Sequence, residues 1–436
     1  MKILFKAFIF TLFCLGILHS IHQSITLKLH YDNIQILDKA ILFVDKGVLT
    51  NFGNASTGSG YIPGSFQTVI TAWPMKLWFS PYAAIAVIIL FHVLSLLFLC
   101  KVALKATETE HILIPLMLIY WLNPWRVEQT ELYNIGYLFL FAALHLWTAF
   151  NMREKLFWKT FLHIIAIGFC AQVHFSFAIL LFLSVILVLT KYIRINWWGV
   201  IFGMLVIGLS LTPYLIEYFS NPSIKLSLAQ SKDMFIGRNL LLVYPVIKAV
   251  LYWIRYSTTY FGRQIFSMID FNWINNTVVY SIAYYSFHIL KWVIAAGTVW
   301  WSIKINKYLF VQFMKLKPFD RKTGHTHELP MDRLYLYTGY LFIAVLAASA
   351  LSPVEFNHWH LILCFPAIAL VASIQLMKLS QNLSKTKSRW VWASITIFFL
   401  MVNIFAALDS RKHFYKNDFH QDFMNYYHHK NYKVWD

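Results

Sequence analysis

LHYDNIQILDKAILFVDKGVLTNFGNASTGSGYIPGSFQTVITAWPMKLW, residues 29–78, is the first long polar break in an otherwise oily chain. It carries Asp32, Asp38 and Asp45, followed by a run rich in Gly, Ser and Asn from 51 to 65. Only 19 of the 436 residues are Asp or Glu, so three in one loop beside an apolar helix need a reason. The chain around this loop is built for lipid. Hydrophobic residues make up 59% and charged residues 13%, and the mean hydropathy is +0.57, outside the range of soluble globular domains. Several apolar runs approach the ~20 residues that cross a ~30 Å hydrocarbon layer. The expected fold is an all-α polytopic membrane protein forming one transmembrane domain over residues 1–436, with about eleven spans.

Working outward from that loop, Lys2 and Lys6 precede a first apolar run that ends near His22. No small-x-small cleavage site follows Cys14, so this run reads as a retained first helix that enters from the cytoplasm. The loop of about 23–79 then lies on the outer face. Spans follow near 81–100, 111–122 and 133–150, and a hairpin of two more turns at Gln172, His174 and Ser176. A seventh ends at Pro213. A second long outer segment covers about 218–277, and its apolar middle, 239–261, reads as a helix lying in the interface. Later spans run near 278–301, to Pro353, to Lys378 and to Leu408, leaving an outer tail of about 409–436.

The net charge of +18 follows this plan. Lys and Arg gather in the short loops assigned to the cytoplasm, beside anionic lipid, so nucleic acid is not an expected partner and the bilayer is. Cys14, Cys100, Cys170 and Cys364 all sit inside apolar runs. They read as small buried hydrophobes, with neither a disulfide framework nor a metal cluster indicated.

On this topology Asp32, Glu128, Glu131, Glu217, Glu355 and His358 fall near one membrane face. Arg126, Arg238, Lys248, Arg255 and Arg263 fall on the same face, with Lys248 and Arg255 seven apart on one helical side. Carboxylates and cations converging at an interface suit a reaction on a phosphate-linked lipid. Cations hold a phosphate that leaves, and a carboxylate takes a proton from an incoming hydroxyl.

Three stretches carry a family resemblance. The first is Tyr31-Asp32-Asn33 with Ala40, Gly47 and Pro63-Gly64 ahead of an amphipathic segment. The second is NPWRVEQTELYNIGYLFLF from 123, and the third is SPVEFNHWHLILCFPAIAL from 352. Together they resemble the type-C membrane glycosyltransferases that use polyprenyl-phosphate sugars, such as protein mannosyltransferases and lipid A aminoarabinose transferases. The family's acidic pair is Asp32-Asn33 here, so Asp32 alone inherits the role of base, and the large soluble C-terminal domain of some members is missing. The resemblance implies inverting transfer from a polyprenyl-phosphate sugar to a glycan, lipid or protein acceptor outside the cytoplasm, in a plasma (inner) membrane. It implies Asp32, Glu128 and Glu131 as catalytic carboxylates. Arg126, Lys248, Arg255 and His358 would hold the donor phosphate, and Tyr31, Asn134, His174 and His360 would line the cavity. No cofactor is indicated, and carboxylates alone do not separate a metal site from a base.

Each residue also has a plainer reading. Asp32 is a good N-cap for a helix beginning near Ile34, and Asp38 and Asp45 suit a wetted helical face. Glu128 or Glu131 can pair with Arg126. The GNASTGSG run has phosphate-loop composition, but no Gly-Lys-Ser/Thr follows it, so it reads as a mobile lid. His92, His145 and His288 inside spans suit helix–helix hydrogen bonds. Two other functions share the composition: a flippase or transporter of lipid-linked sugars, and a polymerase or ligase of surface polysaccharide. Nearly charge-free spans weigh against the transporter.

Overall fold

The computed structural model describes residues 2–25, 31–56, 60–222, 243–257, 271, 274–319, 329–352, 356–408 and 419–429. Arg238, Glu355 and Arg263, together with the side chains of Tyr31 and Arg255, lie outside what is described. Most of the chain is helical, and five helices are long and apolar enough to cross a membrane by length and composition.

The first of these, α1 (Lys2–Ile25), leads to α2 (Tyr31–Lys46). A β-hairpin follows, β1 (Phe52–Ser56) antiparallel to β2 (Gly60–Pro63), with an irregularity between Phe52 and Ala55. The Gly-rich run expected to be a mobile lid therefore folds in part as a two-stranded ribbon on an otherwise helical chain. The Phe52 and Tyr61 rings, tilted to each other with centroids 4.4 Å apart, supply a cross-strand aromatic contact that pins it. Then come α3 (Phe66–Leu77) and α4 (Pro81–Thr107). Helix α4 starts cleanly because Ser80 accepts from the Tyr82 N–H and Pro81 occupies the first turn.

The next expected span is not one continuous helix. It consists of a 3₁₀ turn at Glu110–Ile112, α5 (Leu113–Leu116) and a π turn at Met117–Trp121. Asn123 then caps α6 (Pro124–Glu128). A 3₁₀ turn at Asn134–Tyr137 opens α7 (Leu138–Asn151), which is followed by α8 (Phe157–Ala171), α9 (Phe177–Leu189) and α10 (Trp197–Ser220). Gly199 and Gly203, four apart on α10, let it press onto α8. A Cβ at Gly199 would meet the Phe157 carbonyl at 2.7 Å, and one at Gly203 would meet Ile164 Cβ at 2.8 Å. Small residues at this spacing allow close packing in lipid, where apolar attraction between helices is weak.

The second half holds α11 (Val243–Ser257), α12 (Thr277–Lys315), α13 (Pro330–Ala350) and a 3₁₀ segment, His358–Cys364, that runs into α14 (Phe365–Gln381). Two more helices, α15 (Lys385–Leu408) and α16 (Phe419–His429), complete the chain. The span containing α14 is 83% buried and α13 72%, against 17% for both α1 and α10. The centre of the bundle is thus α13 and α14, with α4 and α7 packed on them, and α1 and α10 are peripheral.

Two findings refine the expected plan. Helix α11 packs on α12, α13 and the 358–364 segment. Trp253 is fully buried against Phe342 and donates from Nε1 to Asn306 Oδ1 at 2.8 Å. The tail is not a loose appendage either. Within α16, Tyr426 Oη donates to both Asp38 carboxylate oxygens at 2.8 Å, His420 meets Ser80 at 3.2 Å, and Phe423 and Tyr427 are buried on Phe79. Asp38, expected to be wetted, is held by the C-terminal helix.

Candidate active site

Asp32 occupies the first turn of α2. That turn is joined to the rest of the site through Asn54 on the hairpin, whose Nδ2 donates to the Asp32 backbone carbonyl at 3.3 Å and to Asn134 Oδ1 at 3.4 Å. Gln67 of α3 donates to the same Asn134 oxygen at 2.7 Å. Lys39 of α2 donates to the Gly53 carbonyl at 2.7 Å and to Asn54 Oδ1 at 3.2 Å. Asn54, Gln67 and Asn134 are all buried, so these amides must satisfy one another rather than water. Asn134, expected to line the cavity, ties the first loop to the second.

The second loop brings Glu131 and Tyr133 to the same place. Burial pushes the Tyr133 phenol up to about 12, and the nearby Asp32 and Glu131 carboxylates push in the same direction. Tyr133 is therefore a neutral hydroxyl at physiological pH, near two acids. Asp32 and Glu131 thus both lie in the neighbourhood of Tyr133 although they are 99 residues apart in sequence.

Arg126 sits deeper than its loop position suggests. It is fully buried, stacked over the Trp121 ring at 4.0 Å. It donates to the Trp121 carbonyl at 2.6 Å, to Ser20 Oγ at 3.0 Å and to the Gly16 carbonyl at 3.3 Å, the last two on α1. It also meets His92 Nδ1 at 3.3 Å, and His92 Nε2 meets the Gly136 carbonyl at 2.9 Å. Because a guanidinium can only donate, His92 Nδ1 accepts and Nε2 carries the proton that Gly136 receives. The turn holding Glu131 and Tyr133 is consequently braced twice, by Lys39 through Asn54 and by Arg126 through His92.

A second polar group stands beside the first. Gly64 adopts φ +83°, and a Cβ there would fall 2.3 Å from Gln172 Oε1. Only glycine lets the end of the hairpin approach the α8–α9 turn so closely. Gln172 is held by Ser210 at 2.6 Å, and Phe66 stacks on Phe169 with centroids 4.2 Å apart. Two residues on, His174 receives the Ser176 N–H at Nδ1, 3.1 Å, and its ring lies 5.6 Å from that of His360. The Asn357 N–H donates to His360 Nδ1 at 2.8 Å. Both imidazoles thus carry their proton on Nε2. Burial, aided by His360, lowers His174 to about 3, so it is a neutral N–H donor and not a cation. His358 packs edge-on to Tyr252 of α11 at 5.9 Å, one turn beyond Lys248, whose ammonium lies over Tyr244 at 5.0 Å.

The structure therefore gathers the sequence candidates into two groups. Asp32, Glu131 and Asn134 form one with Tyr133, and His174, His358 and His360 form the other with the helix that carries Lys248. Glu128 is partly exposed at the end of α6. Arg126 stands apart from the second group, behind the acidic turn. Reading the sequence overlooked Lys39, Asn54, Gln67 and Tyr133. Lys39 alone had a usable signal, lying seven residues after Asp32 on one helical face. Among the described residues no group of three His, Cys, Asp or Glu side chains is placed to hold a metal ion.

No family model matches the chain, and no curated protein matches it in sequence. Solved structures do. ArnT from Cupriavidus metallidurans in the apo state aligns over 94% of this chain and 75% of its own, with a TM-score of 0.53 at 10% identity. The same protein bound to undecaprenyl phosphate aligns over 94% and 76%, with a TM-score of 0.49 at 11% identity. This chain is a polytopic helical membrane protein that shares the fold of ArnT.

Proposed function

We propose that this protein is a membrane glycosyltransferase that moves a sugar from a polyprenyl phosphate to an acceptor on the outer face of the membrane. The observation that carries the reading is the placing of Asp32 and Glu131 near Tyr133, beside a buried amide network that ties the turn of Asp32 to Asn134. The fold shared with ArnT and the three stretches resembling type-C glycosyltransferases support it. In this reading the chain crosses the membrane about eleven times, starting from the cytoplasm, and the face carrying residues 31–78 is the outer one.

Asp32 takes the proton from an acceptor hydroxyl or amine as that atom attacks the anomeric carbon. The bond from that carbon to the phosphate oxygen breaks, and polyprenyl phosphate leaves with the electron pair, inverting the sugar. Glu131, with Glu128 nearby in sequence, keeps the site acidic, and the neutral Tyr133 hydroxyl orients the carboxylates. On the leaving side Lys248, Arg255 and His358 hold the phosphate. His174 and His360 add neutral N–H donors, and Arg126 contributes positive potential from behind the acidic turn.

The test is release of undecaprenyl phosphate from undecaprenyl-phosphate sugars by purified protein in detergent. Asp32→Asn is expected to lose on the order of 10²- to 10⁴-fold in turnover while still binding the donor. Full activity in Asp32→Asn removes the base assignment. A wild-type protein that releases nothing from any such donor overturns transfer, and transport in proteoliposomes becomes the measurement to make.

A further inference from the structure

We propose that Lys39 and Asn54 are positioning residues for Asp32, acting through the orientation of a single side-chain amide. The purpose assigned to them rests on the reading of Asp32 as the base. The contacts themselves do not.

A side-chain amide turned by 180° exchanges its acceptor for its donor, and only its surroundings decide between the two. At Asn54 the surroundings are one-sided. Lys39 Nζ, which can only donate, lies 3.2 Å from Oδ1 and is anchored at 2.7 Å on the neighbouring Gly53 carbonyl. On the other side stand two oxygens, the Asp32 carbonyl at 3.3 Å and Asn134 Oδ1 at 3.4 Å. With Oδ1 toward the ammonium, every contact is favourable. Reversed, the amide would set NH₂ against an ammonium and an oxygen against two acceptors. Gln67 also donates to Asn134 Oδ1, in keeping with an Asn54 that presents its N–H to the same oxygen.

Asn54 is 2% exposed, so water cannot substitute for a lost partner, and an unpaired amide there is costly. Removing the charge on Lys39 leaves Asn54 Oδ1 and the Gly53 carbonyl without their donor and takes away one of the two sides that fix the amide. The tie from the first turn of α2 to the Asn134 turn is then loosened, and with it the placing of Asp32. Burial holds the Lys39 ammonium down to about 8, with Asp38 opposing that fall, so the tie is charged at neutral pH. The phosphate-holding residues lie on α11 and the 358–364 segment, elements that the amide does not touch. Loss of the tie should consequently slow turnover and leave donor binding alone.

The experiment compares wild type, Lys39→Met and Lys39→Arg by hydrogen exchange over residues 31–36 and by steady-state release of undecaprenyl phosphate from an undecaprenyl-phosphate sugar. Lys39→Met is expected to speed exchange in that segment about tenfold and to lower kcat about tenfold, with KM for the lipid donor within about twofold. Lys39→Arg, which keeps a cation facing Oδ1, is expected to restore both. Unchanged exchange in Lys39→Met overturns the tie. Restored exchange in Lys39→Arg without restored kcat overturns the positioning role. A wild type that turns over no donor, with the exchange effect present, overturns the reading of Asp32 and with it the catalytic purpose of the tie.

Discussion

Helix α7 is gripped at its start and at its end by two buried arginines that use the same physical device for different purposes. Arg333, in the first turn of α13, stacks over Tyr192 at 4.0 Å and donates to the carbonyls of Ala149 and Tyr192 at 3.1 and 3.2 Å and of Phe150 at 3.3 Å. Two of those carbonyls belong to the last turn of α7, where helix oxygens lack internal partners and a cation is favoured. Arg126 also stacks over an aromatic ring at 4.0 Å and also donates to carbonyls. Its bonding runs on through His92 to Gly136, in the turn that opens α7 and follows Glu131 and Tyr133. One arginine closes a helix. The other supports the place where acids collect.

The largest test of this contrast is to remove each arginine. Arg126→Met and Arg333→Met should both destabilise the fold by about 3 kcal/mol or more, because each leaves several buried acceptors unpaired at roughly 1–3 kcal/mol apiece. Thermal unfolding in detergent measures that. Turnover per folded molecule should fall only in Arg126→Met, and equal losses in both would end the distinction.

A smaller effect sharpens the contrast from inside the bundle. His145 and His163, both buried, converge on Ser184 Oγ at 2.8 and 3.0 Å, while the Ser184 hydroxyl donates to the Leu180 carbonyl. Tyr337 and Thr148 face the two Nδ1 atoms at 2.9 Å, and the Thr148 hydroxyl also donates to the Leu144 carbonyl. The network joins α7, α8, α9 and α13 and meets no acid of the candidate site. Ser184→Ala is expected to lower stability by about 1 kcal/mol and to leave turnover unchanged. A loss of turnover would tie this network to the chemistry.

The smallest expected effect concerns acid. His174 is held neutral down to about 3 in the folded protein, whereas an unfolded histidine takes up a proton near 6.5. Below that value the unfolded chain binds more protons than the folded one, so stability falls as pH drops from about 6.5 toward 3. Melting temperature measured from pH 7 to pH 5 should decline, and His174→Gln should flatten that decline. An identical slope in the variant would mean that other groups carry it.

Much of the fold was legible in sequence because lipid imposes a simple rule. Apolar runs long enough to cross must be helical, since nothing in the hydrocarbon can satisfy a bare peptide group. The polar breaks, and Asp32 as the residue opening one of them, stand out for the same reason. The segment 110–121 reads as a span by composition, yet it breaks into 3₁₀, α and π turns, because hydropathy does not report which backbone bonds a packed helix keeps. The sequence marks 409–436 only as an outer tail, because its apolar residues are spaced among His and Tyr. Only folding shows Phe423 and Tyr427 closing on Phe79.

Composition and spacing alone determined that this chain lies in a membrane, that it is helical, and that its acids concentrate in loops, because burying an unpaired charge in lipid is prohibitive. Tertiary structure decided which of those acids meet. The turn of Asp32 is tied to the Asn134 turn, which follows Glu131, by Asn54, Asn134 and Gln67, three amides with no local signature. A hydrogen bond between residues 80 apart depends on where two chain segments cross, and no periodicity in the sequence encodes that crossing. Arg126 shows the same limit in reverse. Its charge marks it for the surface, and its place in the fold makes it a buried brace.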